Sequence, residues 1–496
     1  MKTRNIGIRV ATVFVALVPL ASQSRTPEDL ARAQLENGRG LLGRGNYEQA
    51  LHEFRAVTAQ YPETGSAADA HLEMGRYYLV VADDPEAASK EADEILAKYA
   101  RSNAAPPAYL LKGQVIVSRT RRRIDLENAV ATFDRMVTLY PRAASVPLAR
   151  YLAAEALRLA RDPGQALKRY REIVTSWPHD AVIPKVHLGT GMALAQSDDP
   201  LGAMQELQFA RSEEASDDDA SLALARLSIL HRLFVKPAEV SAFTYTPREN
   251  GLPSRAQDVT NVIITPRGTG YFASKSGVFP FDAAAAAGLP ALTRTRGLAV
   301  DRAGQLTVID NGILKRKNAA PLTLMMTRAM PPKLLEQTIA AVCLRNGDWI
   351  VTANDDYGIQ RFAPNGSHLG TFAPRRAARL AVNEFDEVAA LDRDLKSVTI
   401  LDESGRAAAL IGARGPDFEF KNPVDVAYDG FGHLYVLDHA SVFVFSTNRA
   451  MPRLLRTFSE AETSAGVFRR ASAFALDRAG RLFIADERVD KIRLYQ

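Results

Sequence analysis

The sequence predicts a multidomain protein in which an α-helical solenoid, residues 25–236, precedes a six-bladed β-propeller, residues 237–496. Two internal repeats with different periods support this prediction. In the first half, five similar helical stretches follow one another at spacings of 37 to 41 residues. In the second half, six strand–turn–strand segments recur, with a period that averages 44 residues between Asp301 and Asp477. The pattern changes from helical to strand-like after Lys236-Pro237, where we place the boundary.

The first 24 residues have the layout of a secretory signal peptide, with a basic start, an apolar stretch from Val10 to Ala21 and a small, polar end. The alternative is an uncleaved membrane anchor, but the apolar stretch is short for a bilayer span and Pro19 interrupts it. No cysteine lies near the cleavage region, which argues against a lipid anchor. We therefore expect an exported, periplasmic protein that is cleaved near residues 21–24.

Composition and charge narrow the classes of partner. The formal charge of the whole chain is +5, and the signal region carries three cations and no acids, so the remainder is close to neutral at +2. Such a balance predicts neither a nucleic-acid partner nor strong attraction to a membrane surface. Cys343 is the one cysteine, so no internal disulfide can form. We expect it to be a small buried residue on a strand, with a reactive thiol as the alternative.

Each helical unit repeats a set of positions that have a physical role. An Asn or Asp opens the second helix, where its side chain can accept hydrogen bonds from the free N–H groups of the first turn. An alanine four residues later lets two helices approach closely, and an aromatic residue followed by proline closes three of the units. The alanines are Ala50, Ala88, Ala129, Ala166 and Ala203. Another amphipathic segment precedes each opening residue, so each unit is predicted to be helix–turn–helix.

The first unit contains the pattern Gly38…Asn46…Ala50…Phe54…Tyr61. This pattern resembles the tetratricopeptide repeat, and the fourth unit, around DPGQAL, repeats it with an aspartate at the opening position. The resemblance extends over about residues 26–215 and implies a curved stack whose groove binds peptides or proteins. A final helix over Ala220–Phe234 is predicted to cap the stack.

A run of cations in the third unit is a candidate partner-binding site. Its members are Arg119, Arg121, Arg122 and Arg123, in the turn between the two helices. Such a run could bind an anionic partner or a phospholipid surface. The alternative is a solvated loop that has no ligand.

Each of the six segments in the second half is a strand, a turn rich in Asp, Asn or Gly, and a second strand. The segments are VIITPRGTGYFAS, LAVDRAGQLTVID, VCLRNGDWIVTAN, LAVNEFDEVAALD, VAYDGFGHLYVLD and FALDRAGRLFIAD. A period near 44 residues is that of a four-stranded propeller blade, so six segments predict six blades. The last blade has three strand-like runs, and we expect the run 240–246 to supply its outer strand and close the ring.

The fifth and sixth segments, with the runs that follow them, resemble the NHL repeat, and the resemblance extends over about residues 240–496. Some six-bladed propellers of similar pattern are lactonase-like or lyase-like enzymes with pore carboxylates or histidines. Asp425 is a candidate pore residue here.

Five further residues end the second strands and are expected to make Asx-turns; they are Asp310, Asn354, Asp392, Asp438 and Asp486. His433 and His439 flank a strand and are expected to lie in surface turns.

We expect an exported, non-enzymatic interaction protein of the bacterial cell envelope. Partner proteins would bind the solenoid groove and a propeller face, close to the membrane or to peptidoglycan. No catalytic, cofactor or metal site is predicted, because the chain contains no coherent catalytic motif. Two alternatives stay open: a propeller enzyme of the lactonase or lyase class with a pore metal, and a glycan or peptidoglycan binder.

Overall fold

The structure is a computed structural model that describes residues 26–212, 215–235, 256–286, 289, 295–317, 319–327, 331–353, 357–448, 451–459, 468 and 470–495. The predicted signal peptide and the predicted closing strand 240–246 lie outside the described residues. The described residues form eleven α-helices followed by small antiparallel sheets. None of the helices in this part of the chain is both long enough and apolar enough to cross a membrane.

The helices pair into five units, α1–α2 to α9–α10, and α11 follows the last unit. Their bounds are α1 Pro27–Gly43, α2 Tyr47–Gln60, α3 Gly65–Val80, α4 Pro85–Lys98, α5 Ala105–Arg119, α6 Arg123–Leu139, α7 Val146–Leu159, α8 Pro163–Ser176, α9 Ile183–Gln196, α10 Pro200–Phe209 and α11 Asp217–Phe234. The last helix begins three residues before the predicted Ala220, because Ser216 caps it through the N–H of Asp219.

The repeated positions behave as the sequence predicts, except that two of the five opening residues do not cap their helices. The five alanines of the repeat are fully buried between helices. Asp84, Asp162 and Asp199 accept a hydrogen bond from a backbone N–H in the first turn of their helices. Asn46 precedes α2 without a side-chain cap hydrogen bond, and Asp125 lies inside α6, whose N-cap is Arg122, so the predicted capping roles of these two residues are wrong.

The aromatic residues that end the second helices also join successive units. Tyr99 Oη donates a hydrogen bond of 2.6 Å to the carbonyl of Pro62, one unit earlier. Tyr140 Oη donates one of 2.7 Å to the carbonyl of Ala100 in the same way. These residues therefore stabilise the stacking of units as well as the ends of their helices.

The strands form six sheets around a central axis and one short extra pair. Blade one is β1 Val259–Ile264, β2 Gly270–Ser274 and β3 Gly277–Pro280; blade two is β4 Thr295–Val300, β5 Leu306–Asp310, β6 Ile313–Arg316 and β7 Leu322–Thr323; the extra pair is β8 Met325–Met326 and β9 Lys333–Leu334; blade three is β10 Thr338–Cys343, β11 Trp349–Ala353, β12 Ile359–Phe362 and β13 His368–Ala373; blade four is β14 Arg379–Val382, β15 Val388–Asp392, β16 Ser397–Leu401 and β17 Ala407–Ile411; blade five is β18 Pro423–Tyr428, β19 Leu434–Asp438, β20 Ser441–Ser446 and β21 Arg453–Ser459; blade six is β22 Ala471–Leu476, β23 Leu482–Asp486 and β24 Lys491–Tyr495.

The first strand of each blade contacts the first strands of its two neighbours, and β1 contacts β22, so the sheets close into a ring. The predicted six-bladed propeller is confirmed. Near the point of closure, the N–H of Ala256 donates a 2.7 Å hydrogen bond to the carbonyl of Asp490, which brings the start of blade one beside blade six. The closing strand itself stays a prediction.

All six blades have the same turn between their first two strands. The two DRAG copies show its geometry: the N–H of Gly304 donates to the carbonyl of Asp301, and that of Gly480 to Asp477, at 2.9 and 3.0 Å. Both glycines have positive φ, which explains their position. Blade four differs, because Asp386 has the positive φ where five blades have glycine.

Candidate functional site: interaction surfaces

One face of the propeller packs against one edge of the solenoid. We call the propeller surface the hairpin face, because it is formed by the turns between the first two strands of the blades. The solenoid surface is the turn edge, formed by the turns between the two helices of each unit. Their contact, which we call the joint, involves the hairpins of blades two, four, five and six. One propeller face is therefore already occupied within the chain.

The hairpin of blade four contacts the solenoid through ion pairs and hydrogen bonds. Arg158, at the end of α7, donates to Glu384 through both terminal nitrogens, at 3.0 and 3.3 Å. Glu155 is a second carboxylate partner of Arg158, at 3.1 Å. The Nε of Arg121 donates a 2.7 Å hydrogen bond to the carbonyl of Glu384. A buried arginine thus has two acidic partners, one from each half of the chain.

The next residue of the same hairpin, Phe385, fills an apolar pocket in the turn edge. It belongs to one buried cluster with Leu126, Leu159 and Ala160. The guanidinium of Arg161 lies over the ring at 3.6 Å and also pairs with Glu387. An aromatic ring under a cation combines apolar burial with cation–π attraction, so this hairpin is an anchor of the joint.

The surroundings of the joint shift the pKa of its charged groups. Burial by itself would raise the pKa of Glu384, but the charge and hydrogen bonds of Arg158, with Arg226 and Arg121, hold it below the ordinary value. The pKa of Arg158 lies well above its ordinary value because Glu155 and Glu384 outweigh the effect of burial. Burial, together with nearby Arg345, lowers the pKa of Arg121 to about 10. Both members of the Arg158–Glu384 pair are therefore charged at neutral pH.

Three equivalent turns of the solenoid each contribute one ion pair to the joint. Asp83, Arg161 and Asp198 all have positive φ and all immediately precede the aspartate that caps the next helix. Asp83 pairs with Arg302 at 2.7 Å, and Asp198 lies 3.9 Å from Arg453. With the Arg161–Glu387 pair, the repeated turn places a charged side chain against the propeller in units two, four and five. The same turn geometry therefore supplies a charged contact at three places in the joint.

The last helices of the solenoid share a hydrophobic core with blades five and six. Leu230 of α11, for example, belongs to the same buried cluster as Phe431 and Ile484. The guanidinium of Arg232 donates to the carbonyl of Ala479 in the second DRAG turn, and Arg456 donates to the carbonyl of Arg232 at 2.9 Å. A continuous core means that the two halves are held as one body at this end.

The expectation for His433 is wrong. Its side chain is buried in the hairpin of blade five, with Nδ1 2.9 Å from Asp429 Oδ2 and its ring beside Phe234 of α11. His439 lies at the other end of the strand and contacts Asn422. His433 was expected in a surface turn because the sequence alone does not show that the solenoid covers this turn.

The predicted run of cations is divided among three environments. Arg119 ends α5 and pairs with Glu86 of α4 at 3.3 Å. Arg121 points into the joint and is therefore engaged within the chain. Arg122 and Arg123 are exposed, and their nearest acids are on α6, with Asp125 at 3.8 Å and Glu127 at 2.8 Å. Partner binding by the run stays a prediction for the exposed members.

The centre of the propeller holds a cavity of about 270 Å³, lined by the first strands of the blades. Arg379 of blade four donates a 2.9 Å hydrogen bond across the axis to the carbonyl of Thr260 in blade one. Its Nε lies 3.6 Å from Asp425 Oδ1, and Asp425 also accepts hydrogen bonds from the N–H groups of Val426 and Phe474. The candidate pore carboxylate is thus engaged by a guanidinium and backbone groups, and no metal-ligating cluster occurs among the described residues.

Two of the acidic residues at the ends of second strands, Asp392 and Asp486, make the expected Asx-turns, and the others are engaged differently. Asp392 accepts hydrogen bonds from the N–H groups of the next turn, and Asp486 from that of Arg488. Asp438 instead accepts from the segment before its own blade, and Asp310 pairs with Lys315 at 2.6 Å. Asn354 lies outside the described residues.

Cys343 ends the first strand of blade three and is partly buried. Burial raises the pKa of its thiol to about 12. The neutral thiol is therefore the stable form at physiological pH, which agrees with the expected packing role and opposes the reactive alternative.

Two further surfaces stay open within the part of the chain that the structure describes. The inner wall of the solenoid is formed by successive first helices, and Arg39 of α1 there contacts Glu73 of α3 at 3.0 Å. The propeller face opposite the joint, which we call the open face, is formed by the turns between second and third strands, such as Asp392–Lys396. No described residue of the solenoid is hydrogen-bonded or ion-paired to these turns.

Residues 28–186 match the YfiO family model. That family is described as an outer membrane lipoprotein. The match spans less than half of the chain and lies in the helical half. Together with the five helix pairs and their fully buried alanines, it shows that this half consists of tetratricopeptide-like repeats. The resemblance that the sequence suggested is confirmed for the N-terminal half.

Solved structures with helical repeats are similar to the chain at low identity. PilF of Pseudomonas aeruginosa is 21% identical, with 42% of this chain and 86% of that chain covered and a TM-score of 0.33. PilW, a type IV pilus biogenesis factor, is 14% identical, with 41% and 85% covered and a TM-score of 0.33. A putative kinesin light chain of Podospora anserina with TPR-like repeats is 14% identical, with 38% and 95% covered and a TM-score of 0.32. No curated protein matches the chain.

Except for Arg121, which was assigned to a partner surface, the residues of the joint were not identified from the sequence. Two signals for them were present. Arg158 is flanked by two apolar residues on each side near the end of α7, and the blade-four turn has Asp386 where the other turns have glycine. Both departures from the repeat occur where the two halves meet.

Proposed function

We propose that the protein is an exported, non-enzymatic scaffold of the bacterial cell envelope that binds partner proteins. The inner wall of the solenoid and the open face of the propeller would be its binding surfaces. The observation that carries the proposal is the joint, since it packs part of the turn edge against the hairpin face and orients the inner wall and the open face on one framework. A framework of this kind can hold two partners at a defined spacing.

The envelope location rests on two independent supports. The first 24 residues have the order of a basic start, an apolar stretch and a small, polar end, which is typical of exported proteins. The helical half matches a family described as an outer membrane lipoprotein. From these two observations we propose a periplasmic location.

The test uses the full chain, because the joint gives both halves a shared core. The tagged protein is expressed in its bacterial host, located by fractionation and protease accessibility, and purified from crosslinked envelopes. Arg32→Glu reverses a charge on the same face of α1 as Arg39, and its side chain is 63% exposed. Arg406→Glu, 83% exposed on the outer hairpin of blade four, is the matched control.

We expect a defined partner that is retained by the control and lost or reduced with Arg32→Glu. A cytoplasmic location, or a recovered set of proteins that neither variant changes, contradicts the proposal. Stoichiometric calcium in the purified protein, measured by mass spectrometry, would favour the pore-metal enzyme instead. Cosedimentation with purified peptidoglycan without any protein partner would favour the glycan binder.

A further inference from the structure

An apolar patch continues the turn edge beyond the propeller. The patch consists of Tyr47, Tyr77, Val80 and Val81, at the turns of units one and two. Val80 is 78% exposed and Val81 is 45% exposed, whereas aliphatic side chains are commonly buried. Tyr47 is 40% exposed, and its ring centroid lies 5.6 Å from that of Tyr77. Exposed aliphatic and aromatic side chains that adjoin one another mark an interaction surface.

The corresponding position in unit four is occupied, and its occupant indicates what the patch can bind. Val80 is the last residue of α3 and Val81 its C-cap, as Leu159 and Ala160 are for α7. In unit four this pair is buried, because Phe385 of the blade-four hairpin packs on it. In unit two the equivalent pair has no propeller residue over it among the described part of the chain. The patch is therefore an unoccupied copy of the Phe385 pocket.

The patch is continuous with the joint. Asp83 follows Val81 by two residues and pairs with Arg302 of blade two at 2.7 Å. Beside that pair lies a cleft of about 390 Å³ between the start of α4 and blades two and three, lined by groups of both charges and by Trp349. A segment on the patch would therefore also reach the propeller rim, where its backbone could find hydrogen-bond partners.

The residues of the patch differ from those of the Phe385 pocket in one respect. Leu79 stands before Val80 where Arg158 stands before Leu159, so unit two lacks the arginine that binds Glu384. The tyrosine rings add aromatic surface in its place. A fitting segment would thus present an aromatic side chain and would not need the neighbouring carboxylate.

We propose that this patch is a docking site for a partner protein, which inserts an aromatic side chain from an exposed loop or hairpin, as blade four inserts Phe385. The site deepens the proposed scaffold function and rests on it, but it is separate from the inner wall and the open face. It adds a surface on which a partner contacts both halves of the chain.

The experiment places a photoreactive benzoylphenylalanine at Tyr47 of the full-length protein in its bacterial host. We expect a crosslink to one protein, at or next to an aromatic residue of an exposed loop. The binding of that purified protein to the full chain is then measured with Val80→Asp/Val81→Asp. Leu201→Asp is the control, because Leu201 is a 69% exposed leucine in the first turn of α10, away from the patch.

We expect the double variant to weaken binding about tenfold or more, since a carboxylate would be buried at the contact, and the control to leave it unchanged. A crosslink to a second copy or to the chain's own residues overturns the proposal, as does an affinity that the double variant leaves intact. Arg32→Glu separates the two proposals. A partner lost with Arg32→Glu but retained by the double variant supports the inner wall and rejects the patch.

Discussion

Arg158 of α7 and Glu384 of the blade-four hairpin form a two-pronged ion pair across the joint, with nitrogen–oxygen distances of 3.0 and 3.3 Å. The pair links residues 226 positions apart in the sequence. Because the Arg158 side chain is buried, removal of its partner leaves a charge that water cannot reach. The placement of the two halves relative to each other thus depends on side chains that do not recur in the helical units or in the blades.

Glu384→Gln tests this dependence. We expect the free energy of unfolding to fall by about 3 kcal/mol, the low end for breaking a buried pair, because Glu155 still accompanies Arg158. Urea titration followed by tryptophan fluorescence measures the change. Glu419→Gln is the control, since Glu419 pairs with Arg414 at the surface and its loss should change little. Equal effects of the two substitutions would contradict a special role for the joint.

The same pair predicts a dependence on acid. Glu384 has a pKa below its ordinary value of 4.5 in the folded protein, so its contribution to stability is complete above 4.5 and is lost as the pH falls through the folded pKa. The stability difference between wild type and Glu384→Gln should persist at neutral pH and close below 4.5. Asp386, whose pKa burial raises, contributes with the opposite sign, but it is present in both proteins and cancels from the difference. A difference that is constant down to pH 3 would exclude this account.

Two neighbouring arginines should behave differently. Arg121 donates to the carbonyls of Glu384, Val117 and Thr120, at 2.6 to 2.7 Å, whereas the Arg122 side chain is 64% exposed. Arg121→Ala should lower the free energy of unfolding by about 2 kcal/mol, because three charged hydrogen bonds to backbone carbonyls are lost. Arg122→Ala should leave stability unchanged, so any effect it has on partner binding can be attributed to the surface. Thermal unfolding of the wild type and of both variants in the same buffer measures the two changes in stability.

The sequence predicted both repeats because each repeat position has a local physical cause. Fully buried alanines, aspartate caps and glycine turns act within one unit or blade, so their spacing in the chain reports the fold directly. The joint depends on residues that are distant in the chain, such as Arg161 and Glu387, and a single sequence carries no signal that pairs them. His433 illustrates the result: its turn was recognised, but its burial by α11 was not.

The prediction of a partner-binding site among the arginines had the same weakness, because the sequence does not show contacts between distant residues. Four arginines within five positions indicate a cationic surface when they are considered alone. In the fold, α5 ends and α6 begins inside the run, so successive side chains point in different directions. One of them, Arg121, meets the propeller instead of a partner. Repeat periodicity could predict the elements but not which of their exposed edges would be covered.

Cys343 should be unreactive in the folded protein. Burial raises the pKa of its thiol to about 12, so the thiolate that reacts with disulfide reagents is scarce at pH 8. We expect slow reaction with Ellman's reagent in buffer and fast, stoichiometric reaction in urea. Cys343→Ser should fold and should bind partners normally. Rapid labelling of the native protein would restore the reactive-thiol alternative.

The two DRAG turns allow one substitution to be compared in two settings. Asp477 accepts hydrogen bonds from the N–H groups of Ala479 and Arg481, both at 2.9 Å, and its turn also receives Arg232 from α11. Asp301 accepts one side-chain hydrogen bond, from the N–H of Gln305, at 2.8 Å. Asp477→Ala should therefore cost about 2 kcal/mol of unfolding free energy and Asp301→Ala about 1 kcal/mol, as judged from the number of hydrogen bonds lost. Asp477→Asn keeps the accepting oxygen and should recover most of the loss in a urea titration. If Asp477→Asn is as destabilising as Asp477→Ala, the charge of Asp477 is what matters, through its contact with Arg481.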